Sequence, residues 1–186
     1  MQNYKLGEYI RQRRLDLGLT QEQVCAGICE SVTLSRFENG KQTPSRNRIN
    51  AILQRLGLPD DRYYALVTPE ELEIEALKKE IVSCNALKCV EEGFDKISRL
   101  EKIAKPDDQI TQQFILRSKV LLGGLDKRYS NDERIQMLLQ AIRMTIPDFQ
   151  LDKIEDFLFT LDEMKLVNQI GNAYSLSGDN EKAADI

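Results

Sequence analysis

Leu19-Thr20-Gln21-Glu22-Gln23-Val24 and, further along, Leu34-Ser35-Arg36-Phe37-Glu38-Asn39-Gly40-Lys41-Gln42-Thr43-Pro44-Ser45 are the stretches on which the reading of this chain turns. Thr20 and Gln23 have the types and spacing of a capping box, in which each side chain serves the other's unpaired main-chain N–H, so a helix opens at Thr20. Gly18 ends the helix before it, which apolar spacing places over about Tyr4 to Leu17 with Leu6, Ile10 and Leu17 facing inward. A third helix is expected from about Ser31 to Gly40. Leu34 and Phe37, three apart, form its inner side, while Ser31, Val32, Thr33, Ser35 and Arg36 supply a mixed polar outer side. Ser45 is placed to cap a fourth helix over about Arg46 to Leu56, and Gly57 stops it. A short fifth segment near residues 60–67 holds Tyr63 and Tyr64.

Working outward, the rest of the chain also reads as helix, since spacings of three and four recur and no strand-like alternation is sustained. Thr68-Pro69-Glu70-Glu71 is a strong helix start: threonine at the cap, proline at the first helical position, glutamate at the third. Charge changes sign at the same place. Residues 1–68 carry 10 Lys+Arg against 7 Asp+Glu, or +3, and residues 69–186 carry 16 against 23, or −7. A basic front and an acidic back predict two modules with different partners, divided as 1–68 and 69–186. In the second, helices are expected over about 69–85, 86–104, 109–125, 132–145 and 160–177. A short piece lies near 151–159, and Ser130 and Glu133 form another capping box.

The quoted stretches closely resemble the phage-repressor-like (XRE-family) helix-turn-helix over about residues 4–66. The opening L-T-Q-E, the closing S-R-x-E-N-G and the P-S that follows carry the likeness. The turn between the second and third helices is one residue shorter than the common family pattern. The resemblance implies a five-helix, repressor-like DNA-binding domain whose third helix reads the major groove. Short polar side chains at the leading end and a longer donor behind them suit that task, so Ser31, Val32, Thr33, Ser35 and Arg36 are the candidate base readers. Arg36 can take guanine O6 and N7 together; a phosphate contact or an internal ion pair is the alternative. The resemblance also implies phosphate contacts from Gln21, Asn39, Lys41 and Arg46, with Arg48 as an extension, against the reading of a solvated basic face. Arg14 and Glu38 match a family ion pair with a structural role.

Residues 164–186, MKLVNQIGNAYSLSGDNEKAADI, resemble a tetratricopeptide repeat. Val167, Ile170 and Tyr174 supply the packing face, Gly178-Asp179 the turn and Ala183 the small residue of the second helix. The expected architecture is therefore all-α, with antiparallel helical hairpins building a TPR-like solenoid that stops inside a repeat. That is the pattern of a truncated piece or of an end that packs on a partner. A helix-turn-helix joined to such repeats resembles the RRNPP group of peptide-pheromone regulators of Gram-positive bacteria, and the short turn with Gly27-Ile28-Cys29-Glu30 looks like its PlcR-like branch. The likeness implies a homodimer and a short signalling peptide held by the repeats. Asn168 and Asn172, four apart, would hold the peptide backbone, because an amide both donates and accepts; Lys165 on the same face would meet a carboxylate. The alternative is ordinary surface asparagine.

Other classes are narrowed by what is missing. Hydrophobic residues make up 41% of the chain and charged residues 30%, the balance of a soluble globular protein. No apolar run of about 18 residues predicts a membrane span, and MQNYKLGEYIRQRR lacks the apolar stretch of a secretory signal. A cytoplasmic protein is expected. The chain has 4 cysteines and no histidine. Cys25 and Cys29 lack further ligands at zinc spacing, so no metal or other cofactor is expected and free thiols are the simpler reading. With no histidine, no phosphate-binding glycine loop and no paired catalytic carboxylates, an enzyme is not expected. Two functions remain: a sequence-specific DNA-binding regulator controlled through its repeats, and a helical-repeat interaction scaffold whose front domain is inert or binds DNA only weakly.

Overall fold

The computed structural model describes residues 6–60, 68–179 and 182–183. Among these, all regular structure is helical: α1 Leu6–Asp16, α2 Gln21–Cys25, α3 Ser31–Glu38, α4 Arg46–Arg55, α5 Pro69–Leu87, α6 Val90–Ile103, α7 Gln109–Leu125, α8 Asn131–Thr145, a 3-10 helix Leu151–Asp156, and α9 Leu161–Ser177. The fifth segment with Tyr63 and Tyr64, and the expected start of the first helix at Tyr4, lie outside the described residues. No helix among the described residues is long and apolar enough to cross a membrane.

The chain divides into two compact units, Met1–Val67 with Leu158–Leu161, and Thr68–Phe157 with Asp162–Ile186. In the first, α1 and α2 pack on α3, and α2 also meets α4. Ile10, Val24, Leu34, Ile49 and Ile52 are wholly enclosed, joined by Phe37 and Leu56. Burying side chains of this size contributes roughly 1.5–3 kcal/mol each, which is what holds such short helices in place. In the second unit, α5 packs on α6 and α7, α6 on α7, and α7 on α8. Its core gathers Ile74, Leu77, Ile81, Ile97, Leu100, Ile115 and Leu122, and Leu138, Ile142, Leu166 and Ile170 are enclosed as well.

Local chemistry sets most boundaries. The capping boxes at Thr20–Gln23, Thr68–Glu71 and Ser130–Glu133 all form, with both reciprocal bonds present. Three expectations need correction. Ser45 stands at the N-cap of α4 but makes no side-chain cap bond, so α4 is held by its packing rather than by that hydroxyl. Leu17 is 43% exposed, because α1 ends at Asp16 and Leu17 falls in the turn that follows, off the helix's inner side. The helices expected to meet at residues 85 and 86 are separated instead at Lys88, which takes a left-handed φ of 59° and ends α5 without a glycine.

Candidate nucleic-acid interface

α3 has two chemically different sides. Its inner side is Leu34, Phe37 and the carboxylate of Glu38, all buried. Its outer side is open to solvent: Val32 and Arg36 are exposed, and Ser31, Thr33 and Ser35 are partly so. The five candidate base readers therefore share one helix, and its solvent-facing side carries the guanidinium. No side-chain bond caps α3 at Glu30. At its other end Gly40 takes a φ of 67°, which lets the Gly40 N–H reach the Phe37 carbonyl at 3.0 Å and the Lys41 N–H reach the Arg36 carbonyl at 2.8 Å. This pair of bonds is a Schellman closure, and glycine enters its left-handed position without a Cβ penalty.

The inner side is fastened by a fork. Arg14 on α1 donates from Nε to Glu38 Oε1 at 2.7 Å and from Nη2 to Oε2 at 2.8 Å. Its Nη1 donates to the Leu19 carbonyl at 2.9 Å, tying in the turn before α2. The hydrogen bond to Glu38 raises the Arg14 pKa above its ordinary value, against the lowering effect of burial. Gln21 joins the same knot, donating from Nε2 to Glu38 Oε2 at 2.7 Å. Glu38 thus anchors α3 to both α1 and α2, and charge-assisted, two-pronged bonds of this kind fix orientation as well as position.

The candidate phosphate contacts are spread around α3. One amide hydrogen of Gln21 is committed to Glu38, which leaves a second. Asn39 Nδ2 donates to the Ser35 carbonyl at 2.7 Å and is otherwise exposed. Lys41 is exposed just beyond it. Arg46 opens α4, with Arg48 two residues on, and both are half-buried. The candidate peptide contacts lie in the other unit. Asn168, Asn172 and Lys165 are exposed on α9. Asn172 Nδ2 donates to Asn168 Oδ1 at 3.3 Å, and Lys165 pairs with Asp162 at 2.8 Å.

Three positions that shape the interface were not singled out in the sequence. A Cβ on Gly7 would collide with the Phe37 carbonyl, so only glycine lets α1 lie this close to the end of α3. A glycine inside a helical pattern, where it costs about 1 kcal/mol relative to alanine, is itself a sign of close packing. Arg13 Nε donates to the Leu56 carbonyl at 3.1 Å and so covers the end of α4. Arg55 is buried and donates from Nη1 to the Val24 carbonyl at 3.2 Å and to that of Ala26, bracing the end of α2 from α4. An arginine beside Leu53 and Leu56 carries no local mark of burial, because its partners come from another helix.

Comparison with known proteins bears on the domain and the fold. Residues 5–66 match the helix-turn-helix domain family. No curated protein matches the chain in sequence. Among solved structures, the crystal structure of Bacillus thuringiensis PlcR in complex with the peptide PapR7 and DNA is similar, with a TM-score of 0.52 and 23% identity. The match covers 97% of this chain and 61% of the PlcR chain. Residues 5–66 are thus similar to a helix-turn-helix domain, and the all-helical fold of the described residues resembles that of PlcR.

Proposed function

We propose that this chain is a sequence-specific DNA-binding regulator that places α3 in the major groove. The observation that carries the reading is the two-sided build of α3: a polar, guanidinium-bearing side open to solvent, held from behind by Leu34, Phe37 and the Glu38–Arg14 fork. In this reading Arg36 takes a guanine edge, and Ser31, Val32, Thr33 and Ser35 meet neighbouring bases. Gln21, Asn39, Lys41 and Arg46 set the register on phosphates. The acidic second unit carries the control function. Its fold resemblance to a protein solved with peptide and DNA supports control by a peptide. In this reading the chain works as a dimer, and peptide contacts at Asn168, Asn172 and Lys165 bias the placement of two DNA-binding units. Such a regulator works in the cytoplasm, where its DNA is.

The test is selection of duplex fragments by the purified full chain, followed by salt-titrated binding. A regulator gives a selected motif and a steep loss of affinity as salt rises. Arg36→Ala leaves thermal unfolding unchanged and loses about 1–3 kcal/mol of discrimination at one base pair. Salt-insensitive binding with no selected motif moves the chain to the scaffold reading. Unchanged selectivity in Arg36→Ala reassigns Arg36 to the phosphate backbone.

A further inference from the structure

Within α3, Ser31–Glu38, the exposed residues are Val32 and Arg36. They stand four apart, so they are neighbours on one face of the helix, one turn from each other. Ser31, Thr33 and Ser35 are half-buried beside them, and Leu34, Phe37 and Glu38 are buried. Val32 and Arg36 therefore form the ridge of α3 that stands furthest out into solvent. One is a cation with a planar fork of donors; the other is a branched hydrocarbon with nothing to donate or accept.

Neither packing nor helix propensity accounts for a valine on that ridge. Val32 is 52% exposed, whereas Val24, Leu34 and Ile49 of the same unit are wholly enclosed, so it adds little to the core. Nor does it favour the helix: a β-branched side chain loses rotamer freedom against the preceding turn, and α3 has only 8 residues. Against duplex DNA the balance reverses. The apolar group that a base pair offers in the major groove is the C5-methyl of thymine; the rest of each edge is amine, carbonyl or ring nitrogen. A valine laid over that methyl removes apolar surface of both partners from water. A valine laid over the cytosine amine strips water from a donor and returns no acceptor.

We propose that Val32 selects a thymine by its C5-methyl group, close to the guanine taken by Arg36. The contact rests on the reading of α3 as the helix that enters the major groove. It adds to that reading the identity of a second base and its distance from the first. Four residues of α-helix rise about 6 Å, and successive base pairs are about 3.4 Å apart. The two base pairs therefore lie within about two steps of each other. The chemical class recognised is a pyrimidine with a C5-methyl group. Thymine is its source, and 5-methylcytosine carries the same group at the same ring position.

Duplex fragments are selected with the full chain, and each thymine of the selected motif is replaced in turn by deoxyuridine, which keeps the hydrogen-bonding groups and lacks only the methyl. Kd is measured for wild type and for Val32→Ser, which removes the valine methyl groups from an exposed position. Wild type is expected to lose about fourfold in affinity at one thymine position, the effect of one buried methyl group. That position lies within about two steps of the guanine whose preference Arg36→Ala relaxes. Val32→Ser is expected to unfold at the wild-type temperature and to bind the thymine and deoxyuridine duplexes alike. A C·G pair at that position, with and without a C5-methyl on the cytosine, is the converse arm: adding the methyl strengthens wild-type binding by about the same factor. A motif in which no thymine is sensitive to deoxyuridine, or in which Val32→Ser keeps the full sensitivity, overturns the methyl contact and leaves the regulator reading standing. A methylated C·G pair bound more tightly than T·A overturns thymine as the source and makes methylated DNA the target. Binding without any selected motif overturns the regulator reading, and the contact falls with it.

Discussion

Arg14 in the first unit and Gln113 in the second hold comparable places. Each is a long polar side chain, 7% and 3% exposed, and each reaches from one helix to another. Arg14 meets a carboxylate through two short bonds. Gln113 on α7 meets only neutral groups, donating from Nε2 to the Ala141 carbonyl at 3.0 Å and to Thr145 Oγ1 at 2.6 Å on α8. The mechanical task is the same, but the energetic consequence of losing a partner differs. An orphaned charge in a buried place is worth several times an orphaned amide, because water can no longer solvate it. The first unit thus hangs its candidate DNA-reading helix on one charged knot, while α7 and α8 of the second are clipped at Gln113 through neutral groups.

The sharpest way to break this contrast is to remove one partner of the knot. Glu38→Ala leaves the Arg14 guanidinium buried without its carboxylate and takes the Glu38 acceptor from Gln21 Nε2. The expected cost is about 3–5 kcal/mol. Native-state amide exchange reads it unit by unit: protection falls in α1 to α3 and holds in α7 and α8. A uniform loss in both units would mean that the knot supports more than the first. Gln113→Ala is the matched control. It removes two neutral bonds and leaves a small cavity, so about 1–3 kcal/mol is expected, with the loss confined to α7 and α8. Equal costs for the two variants would show that burial, and not charge, sets the penalty.

How far these features were legible in the chain follows the range of the forces behind them. Helix starts at Thr20, Thr68 and Ser130 were legible because a capping box is a conversation across three residues. Ser45 had the right residue type at the right place but forms no cap bond, since type alone does not orient a hydroxyl. The two-sided build of α3 was legible from the spacing of Leu34 and Phe37. The Arg14–Glu38 fork, spanning 24 residues, was visible only through family resemblance. Gln113 and Arg55 were not visible at all. A polar side chain on a helix reads as solvated until another helix covers it, and nothing near Gln113 in the sequence points to Thr145. The close approach at Gly7 was not singled out either: a glycine inside a helical pattern is a sign of close packing, but its partner Phe37 lies on another helix.

α9 supplies the smallest expected effect and the other end of the comparison. Asn168 and Asn172 have the opposite setting to the Arg14 knot: both are exposed, and they are joined by a 3.3 Å bond that water can replace. Asn168→Ala should therefore change the stability of the second unit by no more than about 0.5 kcal/mol, the usual range for a surface position. Amide exchange across α9 measures it. In the reading that gives this face to a peptide, the same variant weakens peptide retention while the fold stays intact, because a backbone-binding amide is lost and nothing buried is disturbed. A stability loss several times larger, growing with protein concentration, would place this face against a second copy of the chain instead. Peptide binding would then have to be sought on another face of the repeats.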